Sequence, residues 1–241
     1  MSDSDIAVIL PAAGQSSRFQ GFAHKKPFVE LRGLPVWRRT AEHFVGRRDV
    51  AEVVLVLSAE DLPQFRQRFP SAADMPKLAV CVGGASRAES VRNGLAALKT
   101  GTEFVAVHDA ARPILTASWL DALFAAARQK EAVIPGIPVS STVKETATDG
   151  RIVRTIDRSR LVLAQTPQVF RRTLLEDAYA AFADASAFTD EAALVEAGGC
   201  QVYVHPGLPM NIKITTADDY FMAEAFLMPE AAENPGTNGG S

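Results

Sequence analysis

Residues 7–18 read Ala-Val-Ile-Leu-Pro-Ala-Ala-Gly-Gln-Ser-Ser-Arg, an apolar strand-like run that passes directly into a loop of small residues. Small residues let backbone N–H groups approach a ligand closely, and such a loop can form a nest for phosphate oxygens. Arg18 and a lysine at position 25 or 26 follow and can flank those phosphates. The alternative is an ordinary strand-to-helix turn with surface cations. The loop matches neither the P-loop nor the Gly-x-Gly-x-x-Gly pattern, which argues against a GTPase and a nicotinamide dehydrogenase.

Further apolar runs alternate with segments of helical period along the chain. Strands are predicted at residues 7–10, 53–57, 78–82, 104–108 and 132–138. Helices are predicted at residues 35–47, 86–98 and 116–128, the second opening with a capping box from Ser86 to Glu89. Strands that are apolar on both faces and separated by helices predict a three-layer α/β fold with a mostly parallel sheet. Ligands of such sheets bind at the carboxyl ends of the strands.

The pattern changes over residues 139–159, where polar and apolar residues alternate on both sides of the turn signal Asp149-Gly150. This alternation predicts a projecting β-hairpin arm. The arm is too polar for a core hairpin, so it is either a solvated excursion or a contact with another subunit. Residues 1–228 are predicted to form one domain, and residues 229–241, rich in Pro, Gly, Asn and Glu, a disordered tail.

The composition argues against several classes of protein. A formal net charge of −3 provides no sustained positive field, which argues against a general binder of nucleic acids or anionic membranes. No apolar run approaches the roughly 20 residues of a membrane-spanning helix. The acidic start lacks the order of a secretory signal, so a cytoplasmic location is expected. The cysteines and histidines show no metal-ligand spacing, so a protein-held transition metal is not expected.

Six blocks, in order along the chain, resemble the 2-C-methyl-D-erythritol 4-phosphate cytidylyltransferase family. The blocks are Pro-Ala-Ala-Gly-x-x-x-Arg (11–18) with Lys-Pro-Phe (26–28), Gly-Gly-x-x-Arg-x-x-Ser-Val (83–91), Val-His-Asp-Ala-Ala-Arg-Pro (107–113), Thr-Val-Lys (142–144) with Asp-Arg (157–158), Gln-Thr-Pro-Gln-x-Phe (165–170) with Thr-Asp-Glu-Ala (189–192), and Asn-Ile-Lys-Ile-Thr (211–215). The ordered set is far more specific than any single block.

The resemblance implies a Rossmann-like nucleotidyltransferase fold and a reaction between CTP and methylerythritol phosphate. The 4-phosphate of the alcohol attacks the α-phosphorus of CTP, which gives a cytidine diphosphate conjugate and pyrophosphate on the way to isoprenoid precursors. Mg²⁺ is implied as cofactor, held mainly by the phosphates of CTP and by water, with its protein ligands unknown. The attacking phosphate is already ionised, so the reaction needs positioning and charge cancellation more than a protein base.

The resemblance also implies four catalytic cations. Arg18 and Lys26 match the family's transition-state stabilisers, with Lys25 as a rival for the second role, and the loss of either should lower the rate about 10²- to 10³-fold. Lys213 matches a lysine near the phosphates, and Arg158 an arginine that holds the substrate phosphate through paired hydrogen bonds. Without the resemblance, Lys213 and Arg158 would be interpreted as surface cations near a sheet edge.

Binding residues follow from the same matches. CTP is expected to contact Pro11, Ala12, Ala13, Gly14, Gly83, Gly84, Ser90 and Asp109. The substrate is expected to contact Asp109, Arg112, Thr142, Arg158 and Thr189. Asp109 could instead cap a helix or form a turn, and Thr189 is equally well a helix N-cap with Asp190 in the first turn. His108 is interpreted as structural.

Two departures from the family pattern and one implied assembly complete the prediction. Ala85 stands where an acidic residue is common, which weakens the expectation of strict CTP preference, and Ser16 replaces a frequent glycine. In the family the arm that carries the matches to Thr142 and Arg158 reaches into the partner subunit, so a homodimer with shared active sites is implied. This agrees with the hairpin predicted from the alternation alone.

Three other functions stay open at this point. A ribitol 5-phosphate cytidylyltransferase shares the chemistry and is the nearest alternative. A catalytically silent nucleotide-binding dimer module would need none of the four cations. A nicotinamide oxidoreductase is the most distant, because its glycine fingerprint and following acidic residue are missing.

Overall fold

A sheet of eight strands forms the centre of the protein in the computed structural model, which describes residues 4–14 and 28–227. Its strands are β1 (Ile6–Pro11), β4 (Val50–Leu57), β5 (Leu78–Val82), β6 (Phe104–Val107), β7 (Ala132–Pro138), β10 (Val162–Ala164), β11 (Gln168–Arg171) and β12 (Tyr203–Pro206). Two small pairs lie outside it: β2 (Glu30–Leu31) with β3 (Leu34–Pro35), and β8 (Val143–Thr146) with β9 (Ile152–Ile156). The helices are α1 (Val36–Val45), α2 (Asp61–Arg68), α3 (Arg87–Ala96), α4 (Ala117–Lys130), α5 (Arg172–Ala181), α6 (Glu191–Ala197) and α7 (Ala217–Phe226), with a 3₁₀ turn at Pro70–Asp74.

The central part of the sheet is parallel. β1 lies between β4 and β6 and runs parallel to both, and β5 continues the parallel order beside β4. Beyond β6 the directions are mixed, because β11 is antiparallel to β6 and β7, while β7 pairs in parallel with β12 and antiparallel with β10. The prediction of a mostly parallel sheet in an α/β fold is therefore confirmed.

Helices cover both faces of the sheet, because the strands bury alternate residues on opposite sides. In β4, Val53 and Leu55 pack into one core cluster with α1 and α4, whereas Val54 and Val56 pack into the other with α3, α5 and α6. Burial of an aliphatic side chain of this size contributes about 1.5–3 kcal/mol. The two apolar cores separate the three layers of the fold.

The five predicted strands and three predicted helices are all present, with bounds that differ by a few residues. The capping box expected at the start of α3 is only half formed. The Ser86 hydroxyl accepts a hydrogen bond from the Glu89 N–H at 3.1 Å, but the Glu89 carboxylate accepts from the N–H of Ala85 at 2.7 Å instead of returning to Ser86. The carboxylate thus stabilises the loop before the helix.

The hairpin predicted within residues 139–159 is confirmed as β8 and β9, which pair antiparallel. Gly150 has a φ of 86°, a conformation that glycine adopts without strain, at the turn predicted from Asp149-Gly150. In the arm Ile152 and Val153 are more than half exposed. The arm therefore presents apolar side chains to its surroundings.

Within the ranges 4–14 and 28–227, none of the helices combines the length and the hydropathy that crossing a bilayer requires. The predicted tail at residues 229–241 lies outside the described residues.

Candidate functional site

Loops that follow three strands of the parallel part of the sheet meet at its carboxyl edge. The carbonyl of Pro11, at the end of β1, accepts a hydrogen bond from the N–H of Ala110, just beyond β6, at 3.4 Å. The N–H of Ala12 donates to Val56 of β4, and the N–H of Gly83 donates to Leu57. The edge predicted to bind ligand therefore brings together the segments that follow β1, β5 and β6.

The loop between β5 and α3 can pack here only because it contains two glycines. A Cβ on Gly83 would lie 2.6 Å from the Ser90 Oγ and 2.8 Å from the Ala13 Cβ, and a Cβ on Gly84 would lie 2.3 Å from the Glu89 Cβ. The Ser90 hydroxyl accepts from the Gly84 N–H at 3.1 Å and donates to the Ser86 carbonyl at 2.9 Å. The residues of this loop that are predicted to contact CTP thus lie against Ala13 in the predicted phosphate loop.

Asp109 is the centre of a charged cluster beside this loop. Its Oδ2 lies 2.9 Å from the Lys213 Nζ and 3.5 Å from the Arg112 Nε, and its Oδ1 lies 3.5 Å from the Arg87 Nε. Burial acts to raise the pKa of the Asp109 carboxyl, but Lys213, Arg87 and Arg112 outweigh it, so the pKa lies well below its ordinary 3.8. Asp109 is therefore an ionised acceptor surrounded by cations.

Arg112 connects Asp109 to the segment that carries Lys213. Its Nη1 donates to the backbone carbonyl of Asn211 at 2.8 Å, and the Asn211 side-chain amide donates to the carbonyl of Thr166 at 2.8 Å. The N–H of Ile214 donates to Ala111 at 2.9 Å. These bonds hold the segment around Lys213 against the loop after β6, and the half-exposed Lys213 ammonium lies at its surface.

His108 is fully buried directly beneath Asp109, as the sequence interpretation expected of a structural residue. Its Nε2 lies 3.0 Å from the Arg112 carbonyl and its Nδ1 2.9 Å from the Thr166 Oγ1, which also accepts from the Asp109 N–H at 3.1 Å. Nε2 can therefore donate to the carbonyl while Nδ1 accepts from the hydroxyl. Burial lowers the pKa of His108 to about 3, so the ring is neutral and can accept from the Thr166 hydroxyl to which the Asp109 N–H donates.

Two residues to which the sequence interpretation gave no role extend the cluster into the interior. The Arg87 Nη1 lies 2.7 Å from the Glu191 Oε1, and that oxygen also lies 3.3 Å from the Tyr179 hydroxyl. The Glu191 side chain is 1% exposed. Both residues lie inside the quoted family blocks, but nothing in the spacing indicates that two positions 104 residues apart form an ion pair.

The prediction that Thr189 could be the N-cap of α6 is wrong. Asp190 is the cap, because its Oδ1 accepts from the Ala193 N–H at 3.0 Å and the helix begins at Glu191. Gln168 fixes this segment to β11 by donating to Asp190 and accepting from Ala192. Thr189 is exposed beside the cap, so its hydroxyl is not used for capping.

The arm residues are separate from this cluster. Arg158 is exposed and donates its Nη1 to the carbonyl of Val139 at 3.1 Å, and Thr142 is exposed. Within the described part of the chain, no hydrogen bond or ion pair joins either residue to Asp109, Arg112 or Lys213.

Several predicted site residues cannot be placed. Arg18, Lys26, the rival Lys25 and Ser16 lie outside the described residues. Gly14 is the last described residue of the predicted phosphate loop, and a Cβ there would meet nothing within 4 Å among its described neighbours.

The residues described at this edge provide only part of a cation-binding site. Across residues 4–14 and 28–227, no group of three or more His, Cys, Asp or Glu side chains could hold a metal ion. Asp109 offers a carboxylate, the ligand type that Mg²⁺ prefers, but Lys213 and Arg112 already lie against one of its oxygens. The donor set fits an ion bound chiefly by the phosphates of a nucleotide, with one protein carboxylate nearby.

Known proteins resemble this chain over nearly all of its described residues. The sequence profile of the 2-C-methyl-D-erythritol 4-phosphate cytidylyltransferase family matches residues 6–229. A protein of that name from Solibacter usitatus is 41% identical, with 95% of this chain and 98% of the relative covered. Another from Syntrophus aciditrophicus is 39% identical, with 93% and 97% covered. The crystal structure of 4-diphosphocytidyl-2C-methyl-D-erythritol synthase from Anaerococcus prevotii has a TM-score of 0.79 at 28% identity, with 93% and 96% covered.

Proposed function

The chain belongs to the 2-C-methyl-D-erythritol 4-phosphate cytidylyltransferase family, and from this premise we propose which of its residues bind the substrates and how it assembles. The enzyme transfers the cytidylyl group of CTP to 2-C-methyl-D-erythritol 4-phosphate, in the non-mevalonate route to isoprenoid precursors. An oxygen of the 4-phosphate forms a bond to the α-phosphorus, and the bond from that phosphorus to the oxygen bridging to the β-phosphate breaks. Pyrophosphate leaves with the electron pair.

The observation that carries our assignment of the site is the convergence of cations on Asp109. Lys213, Arg112 and Arg87 all lie within 3.5 Å of its carboxylate, at the edge formed by the glycine loop. Phosphoryl transfer depends on positioning and on stabilisation of the charge that grows on phosphate oxygens. Lys213 is proposed as catalytic because its ammonium is half exposed at this edge and can turn from Asp109 to a phosphate.

The remaining assignments continue the sequence predictions. Arg18, Lys26 and Arg158 are proposed as the other catalytic cations, and Pro11, Ala12, Ala13, Gly14, Gly83, Gly84, Ser90 and Asp109 as the CTP site. Asp109, Arg112, Thr142, Arg158 and Thr189 are proposed to contact the acceptor. Hydroxyl groups of a sugar or polyol are suited to the ionised Asp109, since each can donate a charge-assisted hydrogen bond.

Mg²⁺ is proposed as the cofactor. When bound, it neutralises part of the charge of the triphosphate and so assists the departure of pyrophosphate. The chain contributes Asp109 beside the phosphates, and the Lys213 ammonium that lies against this carboxylate can orient them. A cytoplasmic location is proposed as well, because both substrates are highly charged and do not cross membranes unaided.

A homodimer is proposed from the surface of the arm. Ile152 and Val153 on β9 and Leu163 on β10 are each more than half exposed, although large apolar side chains usually avoid such exposure in clusters. Pairing of two chains through the arm and the adjoining strand β10 would cover these side chains and would place Arg158 and Thr142 of one chain near the cluster of the other. This arrangement accounts for their separation from Asp109 within one chain.

Pyrophosphate release tests the proposed function. The full-length protein is incubated with CTP and Mg²⁺, and with either 2-C-methyl-D-erythritol 4-phosphate or ribitol 5-phosphate as acceptor. We expect release with the first acceptor, loss of release with excess EDTA, and a fall of about 10²- to 10³-fold for Lys213→Gln, with Lys130→Gln on the surface of α4 as control. Release with ribitol 5-phosphate alone, or CTP binding without turnover, would contradict the proposal.

A further inference from the structure

Arg87 lies between two carboxylates, one at the ligand edge and one in the interior. Its Nη1 is 2.7 Å from the Glu191 Oε1, within the range of a strong charge-assisted hydrogen bond. Its Nε is 3.5 Å from the Asp109 Oδ1, beyond the usual range of 2.7–2.9 Å for such a bond. Arg87 is therefore held close to Glu191 and at a distance from Asp109.

The two oxygens of Asp109 differ as a result. Oδ2 has Lys213 at 2.9 Å and Arg112 at 3.5 Å, whereas the ion pair of Oδ1 in the described part of the chain is the long one with Arg87. A carboxylate oxygen that is ionised yet weakly paired is a strong acceptor for a ligand hydroxyl. Oδ1 is thus the oxygen at which a substrate can bind.

Apart from Arg87, Glu191 contacts the Tyr179 hydroxyl, which lies 3.3 Å from its Oε1. It is the first residue of α6, but Asp190 already caps that helix, and the Glu191 Oε2 is buried without a hydrogen-bond partner among the described residues. A buried charged carboxylate is costly unless a cation lies against it. The arrangement is consistent with a Glu191 charge that attracts the Arg87 guanidinium and holds it in place.

We propose that Glu191 is a positioning residue that holds Arg87 back from Asp109 and so keeps the Asp109 Oδ1 available to a hydroxyl of the nucleotide. Without its charge the guanidinium has one anionic partner left and closes on Asp109. The bidentate pair that then forms occupies Oδ1 and competes with the substrate. This inference rests on the proposed function, which makes Asp109 a CTP contact.

The first test is Glu191→Gln, which keeps the shape of the side chain and removes its charge. We expect the KM for CTP to rise about 10- to 100-fold, by analogy with the loss of a group that orients a metal-binding side chain. We expect kcat to change less than about threefold, because the interaction lost is made equally in the ground state and the transition state. Glu196→Gln, an exposed residue on the same helix, is the matched control and should leave both constants unchanged.

The second test removes the competing cation. In Arg87→Met/Glu191→Gln no guanidinium can close on Oδ1, so we expect the KM for CTP to return to within about threefold of the wild type. A merely structural role for the pair predicts the opposite, since the double variant would then be no better than Glu191→Gln. If Glu191→Gln does not fold, the double variant alone decides, and a KM raised tenfold or more would overturn the proposal.

The wild-type protein measured in parallel separates this inference from the function on which it rests. If the wild type releases pyrophosphate and Glu191→Gln has the same KM for CTP, the inference fails and the function stands. If the wild type neither binds CTP in calorimetry nor turns it over, the function itself fails.

Discussion

At the scale of single residues, His108 shows how burial under the site changes a group that would otherwise titrate near neutrality. Its ring is neutral in the folded protein because burial lowers its pKa to about 3. In the unfolded chain the same imidazole takes up a proton at about 6.5. The unfolded state therefore binds more protons between these values, and stability must fall as the pH falls through that window.

We predict that the free energy of unfolding decreases by up to about 1.4 kcal/mol per pH unit between pH 6 and pH 4 through His108 alone. Its contribution is fully present above pH 6.5 and is lost progressively below it. Urea unfolding at several pH values measures the slope, and His108→Asn should reduce it. His205→Asn, at a half-buried position, is the control and should reduce it less. An unchanged slope in His108→Asn would show that the ring is not kept neutral.

The placement of site residues, as distinct from their roles, was predictable where a motif position follows a buried strand or lies in a distinctive block. Asp109 and Lys213 were both predicted at the ligand edge, and the structure brings them within 2.9 Å. Glu191 was given no role, and for Thr189 a helix cap and a substrate contact stayed open, because a carboxylate or hydroxyl at a helix start can serve as a cap, an ion-pair partner or a ligand contact. The ion pair of Glu191 with Arg87 depends on how the fold places α6 relative to α3, which the spacing of the residues along the chain does not reveal.

At the scale of elements, the connection from β5 to α3 leaves no room for a side chain at either of its glycines. The backbone of Gly84 approaches the side chain of Glu89, whose carboxylate in turn accepts from the N–H of Ala85. The helix therefore stabilises the loop that precedes it. Any side chain at position 84 has to displace part of this arrangement.

We predict that Gly84→Ala lowers kcat/KM for CTP about 10- to 100-fold, because a displacement of about 1 Å in a positioning loop has effects of this size. The added Cβ would lie 2.3 Å from the Glu89 Cβ, so the loop has to shift. Gly101→Ala is the matched control, because a Cβ there meets nothing within 4 Å and its activity should be unchanged. Steady-state kinetics with varied CTP would measure both, and equal values for the two variants would contradict the prediction.

Most strands that are buried on both faces were predicted from the sequence, whereas the short exposed strands β10 and β12 were not. β1 and β4 are almost wholly buried on both faces, so their apolar runs stood out. The residues of β10 are all exposed and those of β12 mostly so, and such short strands lack the alternation that identifies a strand. Their places depend on pairing with β7, which is a tertiary contact.

At the scale of the whole molecule, the proposed dimer makes each active site depend on two chains. Lys213 lies in the cluster at the sheet edge, while Arg158 lies near the base of the arm. If the arm of one chain completes the site of the other, an active site needs Lys213 from one chain and Arg158 from its partner.

We predict that two inactive variants restore each other. Arg158→Gln and Lys213→Gln, each inactive alone, form one intact site when co-expressed in a mixed dimer. Random pairing makes half of the dimers mixed, each with one intact site of two, so about a quarter of the wild-type activity should return. Pyrophosphate release from the purified mixture measures this, with each variant alone as control. No recovery in dimers shown to be mixed would mean that the sites are not shared.

The exposed arm also has a consequence for how output follows gene dosage. When chains are scarce, the number of pairs rises with the square of the copy number, so halving synthesis would reduce the working catalyst to about a quarter. Above the concentration at which pairing saturates, output would follow copy number in simple proportion. In a cell that produces this chain sparingly, catalytic output would therefore change more steeply than the copy number of the chain.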